Sequence, residues 1–526
     1  MQIFDCTIRR SGIPKIEIPV RLKDLDTDTI KYYLPQCIAQ LKQNARKIRF
    51  FKEFVDGTHQ NIDSYEYDAK SSGKARNKIK ENHAYEIVQF KEGFLLGDKK
   101  QFANKENVNN DDMTYLDKFL SDVNYYTKDL ELRHNIYATG IGTSFIMPRG
   151  DIFTDIGEGE DRRVAYDNTE YDVNVNSPFI YETVNSEENA VVYSSCIGES
   201  GLKDLFCFNV ANVFDVNTKK TEQVITVYTR EKIYEYKKVN GLYELREIAN
   251  NRIYGKLPMT EHALNNTRIS PIEVVFDLLN GINIILSNEV NSLEDKVNQL
   301  LVFVNCDIDQ TNVDDLYEDG IVCLPPALGG SINPDVKTIT NNVLYSETNV
   351  LMERVLTRTF DIVGVPLASA AVSSGNNEAA YLGGGWTNAS TIINRDILYF
   401  EQADREELRK IIKICKLNPN NPINEINANE IDIKYNVNQS NNLLVKTQSM
   451  QNLYDMGMPL LDILKAVPLF SDIHNVAKRW EEKLEENKQE EAESGNNGYR
   501  LTGDNLKGQQ KAQQAVITQA NQAGSV

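Results

Sequence analysis

The stretch PIEVVFDLLNGINIILSNEVNSLEDKVNQLLVFV, residues 271–304, decides the fold of this chain. Its apolar residues recur every three or four positions, which predicts one long amphipathic helix. At 1.5 Å per residue such a helix would be roughly 50 Å long, well above the usual three turns. Pro271 suits the first turn, and Ser270 can cap it. The recurring positions are Val275, Leu279, Ile282, Leu286, Val290, Leu293, Val297, Leu300 and Val304.

An acidic connector, residues 305–340, follows this helix, and a second helical run occupies residues 341–365. The run should end at Val365, because a residue before proline avoids helical angles. Residues 366–390 then form a nearly uncharged segment rich in Gly, Ser, Ala and Asn. Two helices joined by an acidic tip and followed by such a loop are typical of the wall of a ring and a poor basis for an enzyme core.

Length, charge and cysteine content limit the number of domains, the possible partners and the cellular compartment of the chain. The chain has 526 residues, enough for several domains, and a formal net charge of −19. An acidic protein gains no broad affinity for DNA from counterion release, so any contact with nucleic acid should be local or transient. Seven cysteines without a CxxC pair predict a reducing compartment and no disulfide framework. We find no signal-peptide pattern and no run of about 20 apolar residues, and we expect assembly in a cytoplasm without a membrane.

The regions around the organising stretch combine helices and sheet, which predicts the α+β class. Residues 1–150 should be mainly helical, with a helix that Asp26 or Asp28 caps and that Pro35 interrupts. A further helix should turn into a strand at Gly140.

Residues 151–270 are β-rich, and their short strands should form antiparallel sheet with a hairpin turn at Asn240-Gly241. Residues 391–417 read as a long amphipathic helix, and EIDIKYNV after it reads as a strand. Short helices should follow up to residue 491. The last residues are rich in Gln, Asn, Gly and Ala, and we expect them to be disordered when free.

Two groups of basic residues interrupt the acidic background of the first 150 residues. Either group could touch phosphates, but solvated helix faces are the better interpretation in an acidic protein. The first group is Lys42, Arg46, Lys47, Arg49 and Lys52, and the second is Lys70, Lys74, Arg76, Lys78 and Lys80.

Motifs of catalysis and cofactor binding are absent from the sequence. No GxxxxGK[ST] loop occurs, which argues against a P-loop ATPase, and no GxSxG elbow occurs. The five histidines are isolated and the carboxylates show no metal-site spacing. The run from Gly383 to Gly385 follows no strand, so a flexible loop is a better interpretation than a phosphate cradle. We therefore expect no catalytic residue, no metal and no cofactor.

Four segments resemble, in order, elements of the portal proteins of long-tailed bacteriophages. No single segment is diagnostic, and the resemblance rests on their order over nearly the whole chain. The proline that the family carries after this glycine and lysine is replaced here, where the chain reads Gly97-Asp98-Lys99-Lys100. The segments are FKEFVDGTHQNI at 51–62, NKIKENHAYEIVQFKEGFLLGDKKQF at 77–102, HNIYATGIGTSFIMP at 134–148 and ISPIEVVFDLLNGINIILSNEVNSLEDKVNQLLVFVNC at 269–306.

The resemblance implies an α+β portal fold that forms a ring, usually of twelve subunits, at one capsid vertex. DNA would enter through the ring during packaging and leave through it on infection. The parts of the fold would be a wing at 1–270, stem helices at 271–304 and 341–365, a clip at 305–340, a tunnel loop at 366–390, a further wing helix and return strand at 391–436, a helical crown at 437–491 and a flexible tail at 492–526.

The resemblance also implies the partners. These would be further copies of the chain as a dodecamer, double-stranded DNA in the channel, the large subunit of terminase, a head–tail adaptor, and the major capsid and scaffolding proteins. The protein would be structural and not an enzyme. It would reside at the portal vertex of the virion after assembly in the host cytoplasm.

Two segments carry the expected contacts. The acidic clip has the polarity of a solvent-exposed tip that docks partner proteins. The residues expected to dock them are Asp307, Asp309, Asp314, Asp315, Glu318 and Asp319. The tunnel loop has Glu378 as its single charge, so it would touch passing DNA without trapping it. Asn388 or Ser390 should cap the next helix. The residues expected at the channel are Ser373, Ser374, Gly375, Asn376, Asn377, Tyr381, Gly383, Gly384, Gly385 and Trp386.

Two other hypotheses remain open on the sequence. One is a nucleic-acid-processing enzyme of the phage head, such as a packaging motor or a nuclease. The missing P-loop and the missing carboxylate cluster argue against it. The other is a different ring-forming head–tail adaptor, although such proteins are usually much shorter.

Overall fold

The computed structural model shows two compact units, Met1–Ser440 and Asn441–Val526. Both helices and strands are present, which confirms the mixed class that the sequence predicts. The structure describes residues 12–64, 77–97, 99–104, 110–150, 153–156, 163–166, 172, 174–196, 204–215, 219–239, 241–253, 255–297, 300–304, 335–339, 345–366, 385–418, 420–424, 426–437, 443–460, 463, 464, 467, 476–483 and 485.

Helices and strands are interspersed along the chain. In chain order, the α-helices are α1 (Thr27–Val55), α2 (Gln60–Ser64), α3 (His83–Leu95), α4 (Asn110–Asp122), α5 (Tyr125–Thr139), α6 (Pro271–Val297), α7 (Tyr345–Val363), α8 (Trp386–Cys415) and α9 (Leu443–Asp455). The strands are β1 (Ile16–Ile18), β2 (Gln101–Asn104), β3 (Ile141–Pro148), β4 (Phe153–Ile156), β5 (Arg163–Tyr166), β6 (Phe179–Val184), β7 (Asn189–Ser194), β8 (Asp204–Asp215), β9 (Lys220–Tyr228), β10 (Lys232–Val239), β11 (Leu242–Asn250), β12 (Met259–Ala263), β13 (Leu300–Val304), β14 (Asp335–Ile339) and β15 (Ile431–Lys434).

A six-stranded sheet in the order β1-β7-β8-β9-β10-β11 packs against α1. Within this sheet β1 and β7 pair in parallel, and the other neighbours are antiparallel. Val239 pairs with Leu242, and Gly241 between them has a φ of 86°, which confirms the predicted hairpin. The buried side chains between sheet and helix include Ile30, Leu34, Ile38, Leu41, Val192, Phe206, Phe208, Ile225 and Tyr236.

The helix α1 departs from its prediction at one proline. Asp26 caps it, because its side chain accepts a hydrogen bond from the Thr29 N–H at 2.7 Å. Pro35 lies inside the helix without ending it. The prediction of an interruption there was wrong, since the apolar face of α1 stays packed on the sheet on both sides of the exposed Pro35.

A three-stranded antiparallel sheet in the order β12-β3-β6 lies beside α5 and α8. The chain passes from α5 into β3 through Gly140, whose φ is 95°, as the sequence predicted. Smaller pairs are β2 with β15, β4 with β5, and β13 with β14. The second apolar core lies here and includes Leu116, Phe119, Ile146, Phe179, Leu408, Ile411 and Ile431.

The helices α6 and α7 pack on each other and share a third core with α1, α3, α5 and α8. Ser270 caps α6, because its Oγ accepts a hydrogen bond from the Glu273 N–H at 3.0 Å. The core members on α6 and α7 are Ile272, Val275, Leu279, Phe360 and Val363.

Two predicted boundaries of this region were wrong. The helix α6 ends at Val297, and residues Leu300–Val304 form a strand that pairs antiparallel with Asp335–Ile339. The run LLVFV has the β-branched and aromatic residues that suit a strand once a partner is available. The helix α8 begins at Trp386 and not after Asn388 or Ser390, since Gly385 adopts the left-handed φ of 82° that precedes the helix.

The second unit contains α9 and a helical stretch at residues 476–483. The rings of Tyr454 and Trp480 lie 6.5 Å apart there. Within the described residues, no helix has the length and apolar composition needed to cross a membrane.

Candidate functional site

The structure describes few of the contact residues that the sequence predicted. The acidic clip residues Asp307 to Asp319 and the tunnel-loop residues Ser373 to Gly384 lie outside the described part of the chain. Gly385 and Trp386 are described. The Trp386 ring is partly buried, 5.8 Å from the Phe94 ring and 6.0 Å from the Phe90 ring. The described site therefore consists of the helices at both ends of these segments and the groups that anchor them.

Three polar side chains on α6 hold an extended segment, residues 77–81. Asn291 accepts a hydrogen bond from the Asn77 N–H at 2.7 Å and donates one to the Asn77 carbonyl at 3.1 Å. Ser287 accepts from the Ile79 N–H at 2.9 Å. Asn283 accepts from the Glu81 N–H at 2.8 Å. We call these three helix residues the amide ladder.

The spacing of the amide ladder follows from the geometry of the two elements. Four residues of helix rise about 6.0 Å, and two residues of extended chain rise about 6.6 Å. Asn283, Ser287 and Asn291 therefore meet alternate N–H groups of the segment. These N–H groups are part-buried, and each loses a protein acceptor if its partner on α6 is removed.

His59 extends the amide ladder to α1. Its Nδ1 accepts a hydrogen bond from the Asn283 amide at 2.7 Å, and its ring stacks on Phe54 with centroids 4.3 Å apart. Burial lowers the pKa of His59. The neutral ring is the form that can accept this bond, so the ladder favours uncharged His59.

A second polar cluster lies between α5 and α8, and we call it the buried charge network. Asp404 on α8 accepts hydrogen bonds from Lys100 at 2.8 Å and from Arg133 at 2.6 Å. Asp129, one turn before Arg133 on α5, accepts from both cations at 2.9 Å. All four side chains are almost fully buried. The Tyr435 hydroxyl also donates to Asp404.

The network continues along α8 to Glu407. The His262 Nε2 lies 2.7 Å from a Glu407 oxygen, and the His262 Nδ1 lies 3.6 Å from Asp404. Ser144 donates to the same Glu407 oxygen, and the Tyr181 hydroxyl donates at 3.3 Å. The cluster thus ties the three-stranded sheet to α8.

The charges set the protonation of the two acids. Burial would raise the pKa of Asp404, but the Arg133 and Lys100 cations outweigh it and hold that pKa well below its usual range. Burial also opposes ionisation of Glu407, and the adjacent His262 lowers the pKa of that carboxyl below its usual value. Both acids are therefore ionised at neutral pH.

His262, Asp404 and Glu407 are close enough to hold a metal ion among the described residues. Their oxygens, however, already accept hydrogen bonds from Lys100, Arg133, Ser144 and Tyr181. A cation entering there would have to displace two buried positive charges. The arrangement fits a closed ion-pair network and not an open metal site.

The helices and both polar clusters fall within a known protein family. The model of the family described as phage portal protein, SPP1 Gp6-like, matches residues 34–490, which include α6, α7 and α8. The chain belongs to this family. A search of curated proteins found no match. The family assignment confirms the resemblance drawn from the sequence and makes this a structural phage protein.

In this portal protein, several basic residues that could touch phosphate instead form ion pairs or hydrogen bonds with other residues of the chain. Lys47 contacts the buried Glu273 of α6 at 2.6 Å. Arg49 contacts Glu187 at 2.8 Å, and Lys52 donates to Asn185 at 3.1 Å. Lys78 and Lys80 both bind Asp63. Lys42 and Arg46 are exposed, whereas Lys70, Lys74 and Arg76 lie outside the described residues.

Sequence reasoning missed both polar clusters. The amide ladder had a readable signal, because Asn283, Ser287 and Asn291 repeat every four residues on an otherwise apolar helix. The buried charge network left almost no signal in the sequence, since Lys100, His262 and Asp404 are far apart in the chain. Only Asp129 and Arg133 have the spacing of a helical ion pair.

We predict that Asp404→Asn will lower the free energy of unfolding by about 3–5 kcal/mol, because it leaves Lys100 and Arg133 buried without their counter-charge. Denaturant titration of the purified protein measures this change. Glu401→Gln on the same helix is the control. Glu401 is 38% exposed and pairs with Arg405 at 2.6 Å, so its replacement should cost at most about 1 kcal/mol. Equal stability of the two variants would contradict a structural network.

Proposed function

We propose that this chain is the subunit of a ring, usually of twelve copies, that conducts double-stranded DNA into and out of the capsid at one vertex. The observation that carries this proposal is the family match over residues 34–490. The match covers the expected wing helices, both stem helices, the clip and the tunnel loop. We place the ring in the virion and its assembly in the host cytoplasm.

The described stem helices support a ring through their exposed apolar side chains. Val274 on α6 and Ile362 on α7 are each 50% exposed, and Val350 and Leu351 on α7 are 65% and 51% exposed. These residues lie on helix faces turned away from the core that α6 and α7 share. Further copies of the chain would cover them and exclude water.

The charge distribution supports a conduit that does not retain DNA. The chain carries a net charge of −19, and several of its basic residues are bound internally. A negative channel repels the phosphates toward the axis. The tunnel loop at 366–390 has one charge, Glu378, so it can touch the duplex without binding it tightly.

The clip at 305–340 is the proposed docking site for the terminase large subunit and later for the head–tail adaptor. Asp307, Asp309, Asp314, Asp315, Glu318 and Asp319 give it a strong negative charge. The strands β13 and β14 pair at its two ends, so both ends of the clip lie side by side. We assign contacts with the major capsid and scaffolding proteins to the wing and crown, and we assign no chemistry to the chain.

Purified protein should form rings with a central hole and should not hydrolyse ATP. Negative-stain microscopy and mass measurement test the ring, and a phosphate-release assay with a packaging ATPase as positive control tests the activity. A stable monomer at micromolar concentration, or turnover of ATP, would count against a portal subunit.

Charge reversal in the clip should weaken partner binding by about tenfold or more, because like charges then face the partner. The variant is Asp314→Lys, Asp315→Lys, Glu318→Lys and Asp319→Lys, measured for binding to the terminase large subunit and to the adaptor. Glu244→Lys with Glu247→Lys, on the exposed strand β11, is the control. Rings should persist in both variants, and unchanged binding to both partners would refute the docking site.

Alanine at Gly383 and Gly384 should leave ring assembly intact and reduce DNA packaging or retention, because the loop then loses backbone states. Gly385 is kept, since its φ of 82° precedes α8 and would strain an alanine. Gly93→Ala is the matched control, because its added methyl group meets no atom within 4 Å. Wild-type packaging by the double variant would refute the assignment of this loop to the channel.

A further inference from the structure

The outer face of α7 carries an unusual stripe. Leu351, Arg354, Arg358 and Ile362 follow one another at spacings of three and four, and all four are exposed. At about 100° per residue they fall within about 80° of one another, and Phe360 lies on the opposite side. Phe360 packs in the core and contacts the His83 ring at 5.7 Å. We call the four exposed residues the arginine stripe.

The arginine stripe has the composition of a protein interface. Arginine is enriched in such interfaces, and two exposed aliphatic side chains lie beside the charges. No described residue lies within ion-pair distance of Arg354, and Arg358 has among the described residues one ion pair, with the exposed Asp361 at 4.0 Å. Like charges four residues apart destabilise an isolated helix slightly, so a partner that neutralises both would stabilise α7.

A surface of opposite charge lies elsewhere on the same unit. A cleft of about 470 Å³ opens between α1, α3 and α5. Asp56, Glu92 and Glu131 line it, together with Leu130, which is 43% exposed. We call this the acidic cleft.

The cations of the acidic cleft are already engaged within the chain. Lys52 donates to Asn185 at 3.1 Å and lies 4.0 Å from Glu187. His134 lies 2.9 Å from Glu92, and this hydrogen bond raises the pKa of His134. Asp56 and Glu131 are exposed carboxylates, so the cleft can accept cations from another molecule.

We propose that the arginine stripe of one subunit docks in the acidic cleft of a second copy of this chain. The proposal rests on the proposed ring and names its contact surfaces. Two arginine stripes would repel each other, so a symmetric pairing of α7 with α7 is disfavoured. Pairing of two different surfaces is heterologous, and heterologous contacts that close produce rings.

The position of α7 agrees with this contact. The side of α7 that holds Phe360 faces His83, the first residue of α3, and the arginine stripe lies on the other side. Glu92, on the same α3, lines the acidic cleft. No described residue of α7 lines the cleft, so the arginine stripe and the acidic cleft are separate surfaces of one subunit, as a heterologous contact requires.

A charge exchange tests the contact. Arg354→Glu with Arg358→Glu should raise the subunit concentration needed for rings by about tenfold or more, as should Asp56→Lys with Glu131→Lys. A protein that carries all four changes should recover most of the lost assembly, because the complementary charges are restored in exchanged positions. Arg246→Glu, on the exposed strand β11, is the control and should assemble as wild type. Mass measurement over a dilution series gives the assembly of each protein.

Arg354→Ala with Arg358→Ala keeps the test decisive if a reversed variant fails to fold. This variant removes charge without adding repulsion and should weaken assembly by a smaller factor. Full assembly of the alanine variant, or no recovery in a folded fourfold variant, would overturn the contact. If the arginine variants form intact rings with altered DNA passage, the arginine stripe lies in the channel, and this result would also overturn the proposed contact. Failure of the wild-type protein to form rings would instead refute the proposed function.

Discussion

The ion pairs of Asp404 are the interaction on which the first unit depends. One fully buried carboxylate on α8 meets Lys100 from the chain before β2 and Arg133 from α5. A buried charge is tolerated only with its counter-charges in place, so these elements cannot separate independently. Because α8 is one helix from Trp386 to Cys415, the same anchor also holds its first turns, where the segment 366–384 joins the described chain.

The amide ladder plays the corresponding role for α6. Apolar contacts alone would let α6 slide along its neighbours, because they are not directional. The hydrogen bonds that Asn283, Ser287 and Asn291 accept from the N–H groups of residues 77–81 allow one register, since Leu279 would face the backbone after a shift of one turn. The two polar clusters thus position the helices around the apolar core that contains Ile272 and Phe360.

Charged residues occur both in buried ion pairs and on the surface of the protein. Basic residues such as Lys47, Lys100 and Arg133 form ion pairs with buried carboxylates. These buried cations and carboxylates balance one another, so the net charge of −19 belongs to the rest of the chain, which also carries basic patches such as the arginine stripe of α7. Under the proposed function, the buried ion pairs hold the helices and strands together, and the surfaces near the channel attract DNA only weakly.

The sequence by itself determined the family, the class and the approximate extent of α1, α6, α7 and α8. Their apolar periodicity and the order of their motifs are local properties that survive without coordinates. The tertiary structure decided the end of α6 at Val297 and the passage of α1 through Pro35, because pairing and packing with distant segments overrode local preference. It also decided the buried charge network, since no spacing in the chain reveals that Lys100, His262 and Asp404 meet when the apolar cores close around them.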